Sequence, residues 1–147
     1  MAHIRHAVKQ DSWAIRRLVW RVLVNPTGLD WRRFVVAVDD QEKILGCGQI
    51  KPHRDGSREL ASIAVQPEYH GQGIGTAVIQ RLLAENSPPL YLTCRAHLGS
   101  YYRRFGFETV PLNEMPPYFK SIARMLHLFR RMIPKRWVGL LIMRWTG

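Results

Sequence analysis

The chain has 147 residues, of which 46% are hydrophobic, enough for one domain with a buried core. Its longest uncharged apolar run, Trp137 to Met143, is much shorter than the ~18 residues of a membrane span. Charged residues interrupt the first residues throughout, so we expect no signal peptide there. The net charge of +11 favours anionic partners and argues against a polycationic substrate.

Two cysteines, Cys47 and Cys94, lie in strand-like apolar runs without metal-ligand spacing. This pattern predicts two buried free thiols, a reducing cytoplasmic location and no bound metal.

The first half of the chain reads as one helix and four strands. Asp11 or Ser12 can cap the helix, Asn25-Pro26 ends it, and Asp55-Gly56 is typical of a hairpin turn. The predicted elements are a strand at 4–8, a helix at about 12–24, and strands at 34–38, 44–50 and 59–65.

The stretch from Glu59 to Asn86 reads as a strand, a glycine-rich turn and a helix. Gly71, Gly73 and Gly75 alternate through the turn, and glycine allows positive φ and close approach of a ligand. The unpaired N–H groups at a helix start favour phosphate. The pattern therefore predicts a site for a phosphate-bearing ligand. The alternative is that this segment only connects a strand to a helix and needs the glycines for its turn, without binding a ligand.

The second half alternates strands and helices. A strand at 90–94 follows the helix after the glycine turn, so the two strands that flank this helix should be parallel. The remaining predicted elements are a helix at 98–105, a strand at 107–110, a basic amphipathic helix at 118–132 and a strand at 137–145.

Two motifs carry a resemblance to a known family. The run from Val65 to Gly75, VQPEYHGQGIG, resembles the cofactor-binding signature of the GNAT N-acetyltransferase superfamily, with His70 in place of the usual Gln or Arg. The later run from Tyr101 to Phe107, YYRRFGF, resembles the family's Tyr-x-x-x-Gly-Phe element.

The resemblance implies an α/β (α+β) fold: a mixed, mostly antiparallel sheet with one splayed parallel pair, flanked by helices. We expect one GNAT-like domain over residues 1–147. Strands 107–110 and 137–145 should form its closing hairpin, with the basic helix at about 117–133 inserted before the last strand.

The resemblance also assigns candidate site residues for acetyl-coenzyme A (acetyl-CoA). Backbone groups of the strand before the turn would address the thioester, and those of the turn would hold the pyrophosphate. The cofactor-binding candidates are Ile63, Ala64, Val65, Gly71, Gln72, Gly73, Ile74, Gly75 and Thr76.

The catalytic candidates are Tyr102 and Glu59. Tyr102 lies four residues before Gly106, where the family often places its general acid, and Glu59 begins the strand beside the expected thioester. The alternative for Tyr102 is an aromatic side chain that only packs against the strands. The alternative for Glu59 is an exposed carboxylate at the end of a strand. An acetyl-cysteine intermediate at Cys94 is disfavoured.

We therefore expect acetyl transfer from acetyl-CoA to a primary amine of a small molecule or protein, by direct attack in a ternary complex. The glycine spacing does not fit a dinucleotide fingerprint, and Gly-Lys-Ser/Thr is missing. The alternatives are a non-catalytic CoA-binding protein and a module that binds nucleic acid or a partner through the basic helix. A nucleic-acid or membrane contact is considered but not favoured, and both monomer and homodimer stay open.

Overall fold

A computed structural model of the chain describes residues 2–135 and 139–147. Within these residues the strands are β1 (His3–His6), β2 (Phe34–Val38), β3 (Ile44–Pro52), β4 (Arg58–Val65), β5 (Leu90–Arg95), β6 (Phe107–Thr109) and β7 (Leu140–Trp145). The α-helices are α1 (Ser12–Arg21), α2 (Ile74–Ala84), α3 (Gly99–Arg103) and α4 (Pro117–Leu128). The predicted start of the last strand, at 137, lies outside the described residues.

The strands form one sheet in the order β1-β2-β3-β4-β5-β7-β6. Strand β2 pairs antiparallel with β1 and β3, and β7 pairs antiparallel with β5 and β6. Strands β4 and β5 run parallel, with Glu59 opposite Tyr91. This topology confirms the predicted mixed, mostly antiparallel sheet with one parallel pair.

The chain divides into two compact units, and the first comprises Met1–Lys51 and Leu60–Asn86. Its core forms where helix α1 turns Ile15, Leu18 and Val19 inward at helical spacing, against alternate residues of β2 that include Phe34 and Val36. Helix α2 buries Ile74, Val78, Ile79 and Leu82 by the same periodicity.

Helix α2 packs closely on the sheet because β3 carries a glycine under it. A Cβ atom at Gly48 would lie 2.5 Å from Ile63 Cδ1 and 2.9 Å from Val78 Cγ1. Glycine at this position therefore allows α2 and the Ile63 side chain of β4 to come close to β3.

The second unit comprises Pro52–Glu59 and Ser87–Gly147. Strand β7 pairs with both β5 and β6, and this arrangement contains the predicted closing hairpin. Phe119, the buried residue of α4, packs with Tyr91, Val110 and Ile142.

One sequence-based assignment differs from the structure for a physical reason. Asp11 makes no side-chain cap on α1, because its carboxylate accepts hydrogen bonds from Arg5 and from the Val8 N–H. Helix α4 buries Phe119 and ends at Leu128, and Phe129 directly after it is 42% exposed. Across the described residues, no helix is long and apolar enough to cross a membrane.

Candidate active site

Strand β4 contains a backbone irregularity directly before the residues expected to face the thioester. Ser62 has φ 58° in the middle of the strand, a left-handed conformation that is strained for a residue with a side chain. Its hydroxyl accepts a hydrogen bond from the buried Gln49 Nε2 at 2.9 Å. Such a break in the strand changes the direction of the peptide groups that follow, here those of Ile63, Ala64 and Val65.

The loop between β4 and α2, which we call the glycine loop (residues 66–73), ends at the first residue of the helix. Gly71 and Gly73 both have φ 80°, and Gly73 is the N-cap of α2. A Cβ atom at either glycine would meet nothing within 4 Å, so the space beside this backbone is open. The exposed N-terminus of α2 can therefore accept an anion, as the predicted cradle requires.

The remaining cradle candidates lie around the same helix start. Gln72 is exposed, Gly75 and Thr76 are partly buried in the first turn of α2, and Ile74 is buried against the core. Only the main chain of Ile74, and not its side chain, is therefore accessible at the helix start.

Two side chains brace the glycine loop, one from α1 and one from the loop itself. Arg21 of α1 forms an ion pair with Glu68 and also donates to Gln66 Oε1. His70 Nε2 lies 3.1 Å from the Val65 carbonyl oxygen. The histidine that departs from the family signature thus contacts the backbone at the end of β4.

Glu59, the candidate base, has a partner that the sequence did not indicate. His53 Nε2, at the start of the turn between β3 and β4, lies 2.8 Å from Glu59 Oε1. The two side chains are 8% and 15% exposed, so this pair is largely shielded from water. The alternative interpretation of Glu59 as an exposed strand-end carboxylate does not hold.

Aromatic rings fix the orientation of His53. Its ring stacks on Tyr118 with centroids 3.6 Å apart, and it meets the edge of Phe119 at 5.6 Å. Partial burial and the charge of Glu59 raise the pKa of the Tyr118 phenol. We call His53, Glu59, Tyr118 and Phe119 the His–Glu cluster.

Asp55 ties the turn between β3 and β4 to helix α4. Its carboxylate accepts hydrogen bonds from Ser57 N–H at 2.8 Å and from Tyr118 N–H at 2.9 Å. A carboxylate at a helix N-terminus also meets the positive end of the dipole. Desolvation alone would raise the pKa of Asp55, but the hydrogen bonds from Ser57 and Tyr118 outweigh it and the pKa is lowered.

Tyr102 lies on α3 with its side chain in the interior. It is 9% exposed, and its ring meets Tyr101 and Phe107 edge-on at 5.2 and 6.1 Å. Burial raises the pKa of its phenol well above the ordinary value. The side chain is thus both a packed aromatic and a group that stays protonated at every working pH.

Both thiols are buried and free, as predicted. Burial raises the pKa of Cys47 to about 12 and that of Cys94 to about 11. Since the thiolate is the nucleophilic form, neither cysteine is suited to accept an acetyl group at neutral pH.

His53, Ser62 and Tyr118 were missed by reasoning from the sequence. His53 could have been weighed, because it lies six residues before Glu59 on the other side of a hairpin turn, within reach of a diagonal contact between the two arms. Tyr118 lies more than sixty positions from His53, and no local pattern links the two.

Solved structures with the same fold cover nearly the whole chain. N-acetylglutamate synthase from Neisseria gonorrhoeae, complexed with coenzyme A and N-acetyl-glutamate, matches with a TM-score of 0.74 and 18% identity over 99% of this chain and 35% of that one. Rv2747 from Mycobacterium tuberculosis, in complex with CoA, matches with a TM-score of 0.73 and 22% identity over 97% of this chain and 98% of that one.

A sequence relative and a family model match as well. The chain is 34% identical to the mycothiol acetyltransferase of Rhodococcus jostii (strain RHA1) over 65 residues, 44% of this chain, and this match spans 21% of that protein. The model of the acetyltransferase (GNAT) domain matches residues 30–109, more than half of the chain, and this range includes β4, the glycine loop and Tyr102. The chain therefore belongs to the GNAT acetyltransferase family.

Proposed function

We propose that this protein transfers an acetyl group from acetyl-CoA to a primary amine of a small molecule or protein. The observation that carries the proposal is the glycine loop, in which two left-handed glycines leave open space at the N-terminus of α2. The relatives that bear acetyltransferase names, and the solved structures with coenzyme A, support the same donor.

The donor would be held chiefly by backbone groups. In our proposal the end of the glycine loop and the first turn of α2 hold its pyrophosphate, through Gly71, Gln72, Gly73, Ile74, Gly75 and Thr76. The end of β4 contacts its thioester, through Ile63, Ala64 and Val65. The break in β4 at Ser62 supports this division, because it changes the direction of the peptide groups that follow. A backbone N–H in this segment would donate to the acetyl oxygen as negative charge develops on it.

Glu59 is proposed as the general base. It lies on β4 four residues before Ile63, and its carboxylate would take the proton that the amine nitrogen loses as it attacks the acetyl carbon. His53 is proposed as a positioning residue, because its ring nitrogen holds one carboxylate oxygen and Tyr118 holds its ring. The new C–N bond forms as the C–S bond breaks.

Tyr102 is proposed as the general acid that returns a proton to the departing thiolate. Burial keeps the phenol protonated, so the donor form is always present. The same burial disfavours a lasting phenolate, so the phenol donates a hydrogen bond to the developing thiolate, passes its proton to the sulfur and must be reprotonated before the next turnover.

Direct transfer in a ternary complex is favoured over a covalent acetyl-enzyme. Both thiols have raised pKa values and are buried, so neither offers a thiolate for acetylation. Two free thiols are also the usual condition of a protein in a reducing compartment, and we propose a cytoplasmic location.

Calorimetric titration tests the donor assignment first. Acetyl-CoA should bind with micromolar affinity, and CoA that lacks the 3′-phosphate should bind more weakly if the basic surface contacts that group. Absence of binding at micromolar concentrations would overturn the proposal.

A screen of primary amines, in which the release of free CoA thiol is measured, then tests catalysis. Binding of acetyl-CoA without release of thiol for any small amine or peptide would favour the non-catalytic alternative. An accepted amine provides the substrate for every turnover measurement below.

A further inference from the structure

The C-terminal end of α4 and the turn after it expose a continuous apolar surface. Its members follow the spacing i, i+3, i+4 and i+7, so they share one side of the last turn of α4 and of the hydrogen-bonded turn after it. They are 54%, 72%, 42% and 80% exposed, in the order Met125, Leu128, Phe129 and Met132. We call these four residues the apolar stripe.

The backbone continues its helical turn through the stripe. Phe129 N–H donates to Met125 O at 2.9 Å, and Met132 N–H donates to Phe129 O at 2.8 Å. The N-terminal end of the same helix is fixed by the Asp55 cap and the burial of Phe119. The stripe is therefore held by a helix anchored at its other end.

The surroundings of the stripe are basic. From Met115 to Gly147 the sequence has seven lysines and arginines and no acidic residue. Arg124, Arg130 and Arg131 lie among the stripe residues, and all three are exposed. An exposed apolar face bordered by cations is the pattern of a helix that lies in the interface of an anionic membrane.

We propose that the apolar stripe docks this protein on the surface of an anionic lipid bilayer. The four side chains would enter the boundary between headgroups and acyl chains, and the arginines would contact lipid phosphates. A second copy of the chain fits less well, because an isologous contact would bring the same arginines together. Nucleic acid also fits less well, because only Phe129 among the four offers a flat ring on which a base could stack.

Vesicle flotation with the full chain tests the proposal. At about 0.1 M salt the protein should float with vesicles of phosphatidylcholine and phosphatidylglycerol at 3:1, and several-fold less with pure phosphatidylcholine. The double variant Leu128→Ser/Met132→Ser should reduce flotation with anionic vesicles about fivefold or more.

Three controls separate the stripe from other surfaces. Leu23→Ser alters a leucine that is 73% exposed at the end of α1, nearly the same as Leu128, and should leave flotation unchanged. Arg130→Gln/Arg131→Gln should lower binding to anionic vesicles only. Circular dichroism of each variant checks that it folds.

Several outcomes would overturn the proposal. These are no flotation with anionic vesicles, and equal flotation of the Leu128→Ser/Met132→Ser variant. A third is loss only in Trp13→Ser/Trp20→Ser, since α1 also exposes two tryptophans beside Arg16 and Arg17. A fourth is binding of single-stranded RNA that the arginine variant loses, with no vesicle binding, which would identify a nucleic-acid surface instead.

Discussion

The glycine loop and the His–Glu cluster present their candidate functional groups in different ways, the loop through its main chain and the cluster through its side chains. The loop offers main-chain groups from a few consecutive residues, and its shape depends on two left-handed glycines. The cluster offers side chains from a hairpin turn, a strand and a distant helix, held by a 2.8 Å hydrogen bond and a 3.6 Å ring stack. A backbone site of this kind tolerates many side-chain changes, whereas a side-chain cluster depends on each member.

The difference divides the proposed reaction into two parts. Recognition of the donor would depend on the loop, and proton removal from the acceptor would depend on the cluster. Substitutions in the loop should therefore change affinity for acetyl-CoA, and substitutions in the cluster should change turnover.

Glu59→Gln should produce the largest effect. Loss of a general base lowers turnover by about 10²- to 10³-fold, while the affinity for acetyl-CoA stays the same because the loop is intact. Steady-state kinetics and calorimetry measure the two quantities. Glu108→Gln, at an exposed glutamate on β6, is the control. A fall of less than threefold in Glu59→Gln would remove it as the base.

Tyr102→Phe should lower turnover by roughly 10- to 100-fold and leave the affinity for acetyl-CoA nearly intact. The ring packing with Tyr101 and Phe107 is kept in this variant, so thermal stability should hardly change. Because burial raises the pKa of the phenol, the wild-type enzyme should show no loss of activity from ionisation of Tyr102 up to about pH 10. Unchanged turnover would leave Tyr102 with a packing role alone.

His53 can be tested with a pair of substitutions. His53→Phe keeps a ring to stack on Tyr118 but removes the hydrogen bond to Glu59, and should lower kcat about 10-fold with little change in KM. His53→Gln keeps an N–H donor and should recover part of that loss. If the two variants have equal kcat, the contact with Glu59 is structural only.

Gly73→Ala should weaken acetyl-CoA binding by about fivefold, because alanine is strained by roughly 1 kcal/mol at φ 80° and the loop shifts to relieve it. Gly56→Ala is a matched control. Gly56 has φ 87° and equally open surroundings, but it lies in the turn between β3 and β4. Both variants should lose similar stability in urea unfolding, and only Gly73→Ala should lose affinity. Equal affinities would contradict the assignment of the loop to the donor.

Asp55→Asn should have the smallest effect, a loss of about 0.5–1 kcal/mol from the α4 cap at neutral pH. The pKa of Asp55 is lowered in the folded protein, so its charged form adds stability that is fully present above the ordinary value of 3.8 and is lost as the pH falls through the lowered value. Unfolding measured at pH 7 and at about pH 2 should therefore show a smaller difference from wild type at the lower pH. An equal difference at both pH values would indicate another cause.

The contrast between loop and cluster also explains what the sequence could predict. The strand, the turn and the helix around Gly73 depend on local preferences, and the sequence indicated all three in order. The parallel β4–β5 pair followed from the helix between them. All the residues proposed to bind acetyl-CoA lie in one continuous stretch of the chain, from Ile63 to Thr76, so local patterns were enough to find them.

The parts that escaped prediction depend on distant contacts. Asp11 was one of two residues, with Ser12, that could have capped α1, but Arg5 on strand β1 binds its carboxylate instead. The apolar stripe was missed because periodicity shows that a helix has an apolar face, and packing decides which residues of it are covered. Phe119 is buried in the core, whereas Phe129 is exposed to solvent.

The two buried thiols have a practical consequence. With pKa values raised to about 12 and 11, Cys47 and Cys94 should be nearly inert to maleimides at neutral pH. A cysteine introduced at an exposed position, for example by Leu128→Cys, would then be the single labelled site in an otherwise native chain. An environment-sensitive dye attached there would report the surroundings of α4 directly, without any need to delete the native cysteines.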